Sequence, residues 1–231
     1  LYLVDRDIRI TPSRRPAPPG ELDLPRFDVS VETPWRKHTD VPVPLPGIHQ
    51  TTNAGLALAA MDVLDQHGFP CPQEPLVAGL AAVRCPLRVE VMQRRPLVIV
   101  DSAHNGASME ALCQTLASVP VRRRVAVFGT SRDKDAAVML RKLDESFDEL
   151  ILTQYLSNPR ALPIDEMAAV AADLKTPWKT ATSPQNALQL ARQSAGEQDL
   201  ICITGSFFLA AETRELLTTP RDSLEQAPAS G

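Results

Sequence analysis

Leu97-Val98-Ile99-Val100-Asp101-Ser102-Ala103-His104-Asn105-Gly106 is the stretch whose reading decides the fold. Its first five residues, Leu97 to Asp101, read as a buried strand that ends on a carboxylate. Ser102 to Asn105 make a short polar turn. From Gly106 to Val119 apolar residues recur at helical spacing, at Met109, Leu112, Cys113 and Leu116. Strand, tight turn and helix form the first half of a βαβ unit. In open parallel sheets, ligands collect beyond the carboxyl ends of the strands, beside helix N-termini. Asp101, His104 and Asn105 are expected there.

Downstream the alternation continues. Strands are predicted over Arg88–Met92, Arg124–Gly129, Glu149–Thr153, Trp178–Ala181 and Leu200–Thr204. Helices are predicted over Ala107–Ser118, Asp135–Leu143, Ile164–Leu174, Pro184–Ser194 and Phe207–Leu217. Ser183 before Pro184 is a cap followed by proline at the first helical position. Asp133 is the expected cap of the helix after GTSRDKD. The fold class is therefore α/β, a Rossmann-like, mostly parallel sheet with helices on both faces.

Upstream the texture differs. Leu1–Ile10 and Phe27–Val31 alternate like strands, and the proline- and arginine-rich Thr11–Pro25 reads as a surface loop. Pro42, Pro44 and Pro46 punctuate an extended approach to Gly47. HQTTNAGLALAAMDVLDQHG, from His49, reads as a helix whose many small residues suggest close burial. A shorter helix is predicted over Pro75–Val83. Residues after Pro220 read as a frayed tail.

The composition bounds the function. The 231 residues are 44% hydrophobic, with a net charge of −4. The only dense basic cluster, Arg122–Arg124, reads as a solvated loop, so no nucleic-acid partner is expected. No apolar run of about 18 residues exists, so no membrane span is expected. Cys71, Cys85, Cys113 and Cys202 form no CxxC pair and read as reduced, buried thiols of a cytoplasmic protein. His38, His49, His67 and His104 have no metal-ligand spacing, so no metal is assigned to this chain. The chain opens on Leu1 and is expected to belong to a longer one.

Several segments point to chemistry, each beside a plainer role. Asp101 suits ribose hydroxyls or simple helix capping, and His104 a phosphate or developing charge, or mere exposure. Arg88, read inside an apolar strand, needs a partner: phosphate, Glu90 or solvent. Asn53 carries a donor and an acceptor suited to an adenine edge, but helix capping by Thr51, Thr52 or Asn53 suits the pattern too. Lys134 and Asp135 could pair at a helix start. Gly205 and Ser206 end another strand with the same orientation as DSAHN, and two polar turns at one sheet edge strengthen each other. No GxGxxG or GxxxxGK[ST] follows any strand, which disfavours a dinucleotide oxidoreductase.

Taken in order, LPGIHQTTNAGLALAA, CPLRVEVM, VIVDSAHNGASMEAL, VAVFGTSRDKDAAVML, ILTQYLSNPRAL and TGSFFLAAETREL resemble the folylpolyglutamate synthase family, including its dihydrofolate synthase form, within the Mur ligase superfamily. The resemblance implies an ATP-dependent ligase that adds L-glutamate to folate or dihydropteroate through an acyl phosphate. It implies that Asn53 contacts adenine, Arg88 the ATP phosphates, Asp101 the ribose side, His104 the reaction centre and Ser206 the glutamate. It also implies residues 1–84 as the end of a central ATPase domain, 85–217 as the C-terminal domain and 218–231 as a flexible tail. The P-loop and the ligands of Mg2+ are then expected upstream. The isolated chain is expected not to turn over ATP, and the protein to be a cytoplasmic monomer. Two family glycines are replaced, by Leu87 and by Ser102; a left-handed backbone at Ser102 would add strain. The rivals are another Mur-type amino-acid ligase of cell-wall synthesis and a non-catalytic remnant.

Overall fold

The computed structural model describes residues 1–16 and 24–219. The tail after Pro220, and the part of the expected loop over residues 17–23, lie outside the described residues. The chain divides into two compact units, Leu1–Arg88 with Ala111–Pro120, and Val89–Glu110 with Val121–Gly231.

The first unit holds a three-stranded antiparallel sheet, in the order β1 (Arg9–Arg15), β2 (Arg26–Glu32), β3 (Lys37–Val43). The expected strand over Leu1–Ile10 is displaced. Asp5 takes a left-handed φ of 66°, and the Asp7 carboxylate accepts the Leu3 N–H at 2.9 Å, so residues 3–8 fold into a turn. The strand instead runs on through Thr11–Arg15, which was expected to be loop. β3 was not expected at all. Its buried residues, His38, Val41 and Val43, break the period of two, because the register shifts opposite Val29–Val31 and Asp40 sits at φ 48°. Ser30 Oγ accepts the Asp40 N–H at 3.0 Å and holds that bulge.

Helices α1 (His49–Gln66) and α2 (Gln73–Ala81) also belong to this unit. Only one stripe of α1 is buried, including Ala54, Gly55, Leu58, Ala59 and Asp62. The expectation of close burial around most of α1 is corrected: Leu56 and Leu64 are exposed. Small residues serve close approach on one face. A Cβ on Gly55 would stand 2.7 Å from Ile10 Cδ1. The apolar core is Ile8, Val29, Val31, Val41, Val43, Ala54, Leu58 and Ala59.

The second unit carries a six-stranded sheet. Its strands are β4 (Glu90–Arg94), β5 (Leu97–Val100), β6 (Arg124–Phe128), β7 (Glu149–Leu152), β8 (Trp178–Thr180) and β9 (Leu200–Thr204), ordered β4-β5-β9-β6-β7-β8. β4 is antiparallel and the other five are parallel. The helices are α3 (Gly106–Ala117), which is counted with the first unit from Ala111 on, α4 (Ala136–Asp144), α5 (Ile164–Ala171), α6 (Pro184–Ser194) and α7 (Phe207–Thr218). Steps from β6 through β8 run one way across the sheet, and the step from β8 to β9 runs back. Right-handed crossovers therefore put α6 on the face opposite α4 and α5. All of β5, β7 and β9 is buried, as a sheet covered on both faces requires.

Two side-chain expectations are corrected here. Cys85 is exposed, whereas Cys71, Cys113 and Cys202 are buried and not disulfide-bonded. Arg123 is not a solvated loop cation: it binds Glu149 at 2.8 Å and the Ser194 carbonyl at 3.1 Å.

Candidate functional site

β9 lies between β5 and β6, so strands whose following helices leave toward different faces stand side by side. That is the switch point at which open α/β sheets form a crevice. The turn after β5 and the turn after β9 meet there. The Asp101 N–H donates to the Ile203 carbonyl at 2.9 Å, and the Gly205 N–H to the Ala103 carbonyl at 3.0 Å. Gly205 has a φ of 106°, and a Cβ on it would stand 2.6 Å from Phe128 Cε2, so only glycine closes this junction.

Asp101 is 5% exposed. Its Oδ1 accepts the Ala103 N–H at 2.7 Å and its Oδ2 accepts the Val89 N–H at 2.9 Å. The cap of α3 is Asn105, not Asp101. Asn105 Oδ1 accepts the Ser108 N–H at 2.9 Å, and Ser108 Oγ returns the favour to the N–H groups of His104 and Asn105. This reciprocal cap fixes the turn that carries His104. The half-buried His104 ring has Nδ1 3.0 Å from the Ser102 carbonyl. A carbonyl only accepts, so Nδ1 carries the proton and Nε2 of the neutral ring is an acceptor. Ser206 is 3% exposed and caps α7, its Oγ accepting the Phe208 N–H at 3.1 Å.

Arg88 is not inside a strand. β4 starts at Glu90, and Arg88 stands exposed in the turn before it, between buried Leu87 and Val89. Its guanidinium therefore needs no buried partner. Both neighbours are left-handed, Leu87 at φ 62° and Val89 at φ 50°. Such a conformation costs an L-residue about 1–2 kcal/mol and is worst for a β-branched one. Leu87 stands where the resemblance expects glycine, and burying its side chain offsets the strain by about 1.5–3 kcal/mol. Ser102, the other replaced glycine, is not left-handed, so the strain expected there is absent.

The loop after β6 differs in detail from expectation. Asp135, not Asp133, caps α4, accepting the Val138 N–H at 3.0 Å. Lys134 pairs with Asp133 at 3.4 Å and not with Asp135, which faces its own helix. The Arg160 guanidinium, 2.9 Å from Asp133, holds that carboxyl below its ordinary range. Ser131 Oγ lies 2.6 Å from Tyr155 Oη, tying this loop to the one after β7. Neither Arg160 nor Tyr155 was singled out in the sequence, although both lie in the quoted segment ILTQYLSNPRAL.

Asn53 belongs to the first unit, on the first turns of α1, exposed, with its Nδ2 donating to Gln50 Oε1 at 3.0 Å. None of Thr51, Thr52 or Asn53 caps that helix, whose N-cap is Ile48. So the fold joins Asp101, His104 and Ser206 at one edge of the second unit, while Asn53 belongs to the first, as does Arg88, its last residue before Val89, whose amide Asp101 holds. Among the described residues no three His, Cys, Asp or Glu side chains are grouped to hold a metal ion. Among the described residues no helix is long and apolar enough to cross a membrane.

The family model for the glutamate ligase domain of Mur ligases matches residues 87–207. The dihydrofolate synthase/folylpolyglutamate synthase of Mycobacterium tuberculosis is 34% identical over 197 residues, 78% of this chain and 40% of that protein. The folylpolyglutamate synthase of Lacticaseibacillus casei is 31% identical over 181 residues, 78% of this chain and 41% of that protein. The solved Mycobacterium tuberculosis folylpolyglutamate synthase complexed with ADP superposes with a TM-score of 0.79 at 30% identity, covering 94% of this chain and 49% of that one. The chain thus spans about 40% of the length of the curated relatives it matches.

Proposed function

The chain belongs to the Mur ligase family through its glutamate ligase domain, and from that premise we propose that it is the C-terminal portion of a folylpolyglutamate synthase. On this reading, residues 1–84 end the central ATPase domain and 85–217 form the C-terminal domain. The whole protein works in the cytoplasm as a monomer on ATP, L-glutamate and a folate, or dihydropteroate. The observation that carries the reading is the joined pair of polar turns at the switch point, Ala103 to Gly205, in a chain so similar to glutamate-adding synthases.

A carboxylate is a poor electrophile until one oxygen leaves as phosphate. ATP supplies that phosphoryl group, and the glutamate amine then displaces phosphate through a tetrahedral intermediate. The residues of this chain bind and orient. Asn53 offers an exposed amide to adenine, Asp101 lies at the ribose side, and the exposed guanidinium of Arg88 suits phosphate oxygens. His104 has its tautomer fixed by the Ser102 carbonyl, so Nε2 can accept a proton from the glutamate amine at the moment of attack. Ser206 stands on the glutamate side, its hydroxyl proton still available while its oxygen caps α7. Among the described residues no donor set is grouped for the Mg2+ that such chemistry uses, and its ligands are expected upstream.

The test is an acceptor screen with the natural protein that contains this chain. ADP release that requires both a folate and L-glutamate supports the reading. Release that requires a UDP-linked muramoyl peptide instead assigns the chain to a cell-wall ligase.

A further inference from the structure

Arg88 is held by an unusual piece of backbone. It stands between two left-handed non-glycine residues, and the second, Val89, is β-branched, 4% exposed and at φ 50°. A conformation of that kind persists only where its surroundings over-determine it. The Val89 amide is held by a carboxylate: Asp101 Oδ2 accepts that N–H at 2.9 Å, while Oδ1 accepts the Ala103 N–H at 2.7 Å. A hydrogen bond from a backbone amide to a buried carboxylate is of the strong, charge-assisted kind. One carboxylate thus staples the turn before β4 to the turn after β5.

We propose that Asp101 is a positioning residue for Arg88: by holding Val89 left-handed, it fixes the direction in which the preceding guanidinium leaves the protein. This deepens the reading of Arg88 as a phosphate ligand and rests on it. It separates two contributions of Asp101, a contact at the ribose side and a grip on Val89, which a simple deletion of the carboxylate would merge.

A glycine at position 89 takes the left-handed region without strain and keeps its N–H, so it should need no grip. The test uses the natural protein and four forms: wild type, Asp101→Asn, Val89→Gly and the double variant. An asparagine supplies one acceptor oxygen for two amides, and its NH2 group opposes the other. Asp101→Asn is expected to raise the KM for ATP about tenfold or more, the scale of the strain it releases. Val89→Gly is expected to stay within about twofold of wild type, and the double variant to recover most of the loss. The KM for L-glutamate should follow neither change, which a general loss of structure would not spare. A double variant as poor as Asp101→Asn overturns the proposal and leaves Asp101 a direct ligand alone. Should Asp101→Asn not fold, the wild-type amide answers: hydrogen exchange at Val89 at least about tenfold slower than at Arg88 is expected, and equal rates overturn the grip. A protein that binds ATP as described but adds no glutamate to folate would fail the functional reading and leave the grip standing.

Discussion

In the first unit a histidine and an aspartate lie fully buried where β3 meets α1. In the second unit the matching layer, between strands and helices, is almost wholly apolar. His38 Nε2 is 3.1 Å from both Asp62 oxygens, Thr33 Oγ1 donates to Asp62 at 2.8 Å, and Arg36 reaches Asp62 at 3.5 Å and Asp65 at 2.9 Å. The second unit instead buries whole strands such as Leu97–Val100 and Leu200–Thr204, with Met139, Leu140, Leu143, Ala187 and Leu209 from the helices over them. The difference teaches how size governs the means of cohesion. A three-stranded sheet offers few inward positions, and a bulge in β3 uses one of its steps, so a buried polar cluster fixes the helix on it. A six-stranded sheet covered on two faces has apolar area enough without one.

Breaking the polar cluster should therefore be among the costliest changes. Asp62→Ala takes the carboxylate from the buried His38 Nε2 and from Thr33, while Arg36 keeps Asp65, and is expected to destabilise by about 3 kcal/mol. Chemical denaturation of the natural protein reads this as a lowered midpoint; a change under about 1 kcal/mol would mean that the cluster is ornamental. Leu150→Ala in the second unit leaves a cavity among fully buried strands and is expected to cost about 3 kcal/mol. Ser183→Ala removes the oxygen that accepts the Asn186 N–H at 3.2 Å and is expected to cost about 1 kcal/mol, seen as a small drop in Tm.

The smallest effect concerns the charged cluster around Glu149 in the second unit. Burial pushes the Glu149 carboxyl up, but bonds from Lys179 and Ser194 and the charges of Lys179 and Arg123 outweigh it, and the net shift is downward. A carboxyl lower when folded than when unfolded adds stability at neutral pH and loses it as the pH falls through its folded value. Glu149→Gln should flatten that acid limb. The loss at neutral pH is expected to stay under about 1 kcal/mol, because Arg123 and Lys179 remain partly in water. An unchanged acid limb would remove Glu149 from the account.

The same contrast explains what the sequence discloses. In the second unit β9 and α6 fall where periodicity puts them, and the other elements within a few residues, because uninterrupted apolar runs of four or five residues leave little choice. In the first unit the alternation of β3 is broken by Asp40, and the Asp7 carboxylate folds Leu3 back, neither of which periodicity reports. At the site, the joined turns at Asp101 and Gly205 were legible as two strand ends of one orientation. The turn around Arg88 was not, since a leucine and a valine in left-handed backbone give no warning in their side chains. The expected cap, Asp133, gave way to Asp135, which only geometry identifies.

The account stands on the transfer of glutamate. The most direct measurement is the mass of a folate recovered after incubation of the natural protein with ATP, Mg2+ and L-glutamate. A product heavier by one glutamyl residue, formed only when all components are present, is the expected result. An unchanged folate, from protein that under the same conditions extends a UDP-linked muramoyl peptide or releases no ADP at all, would contradict it.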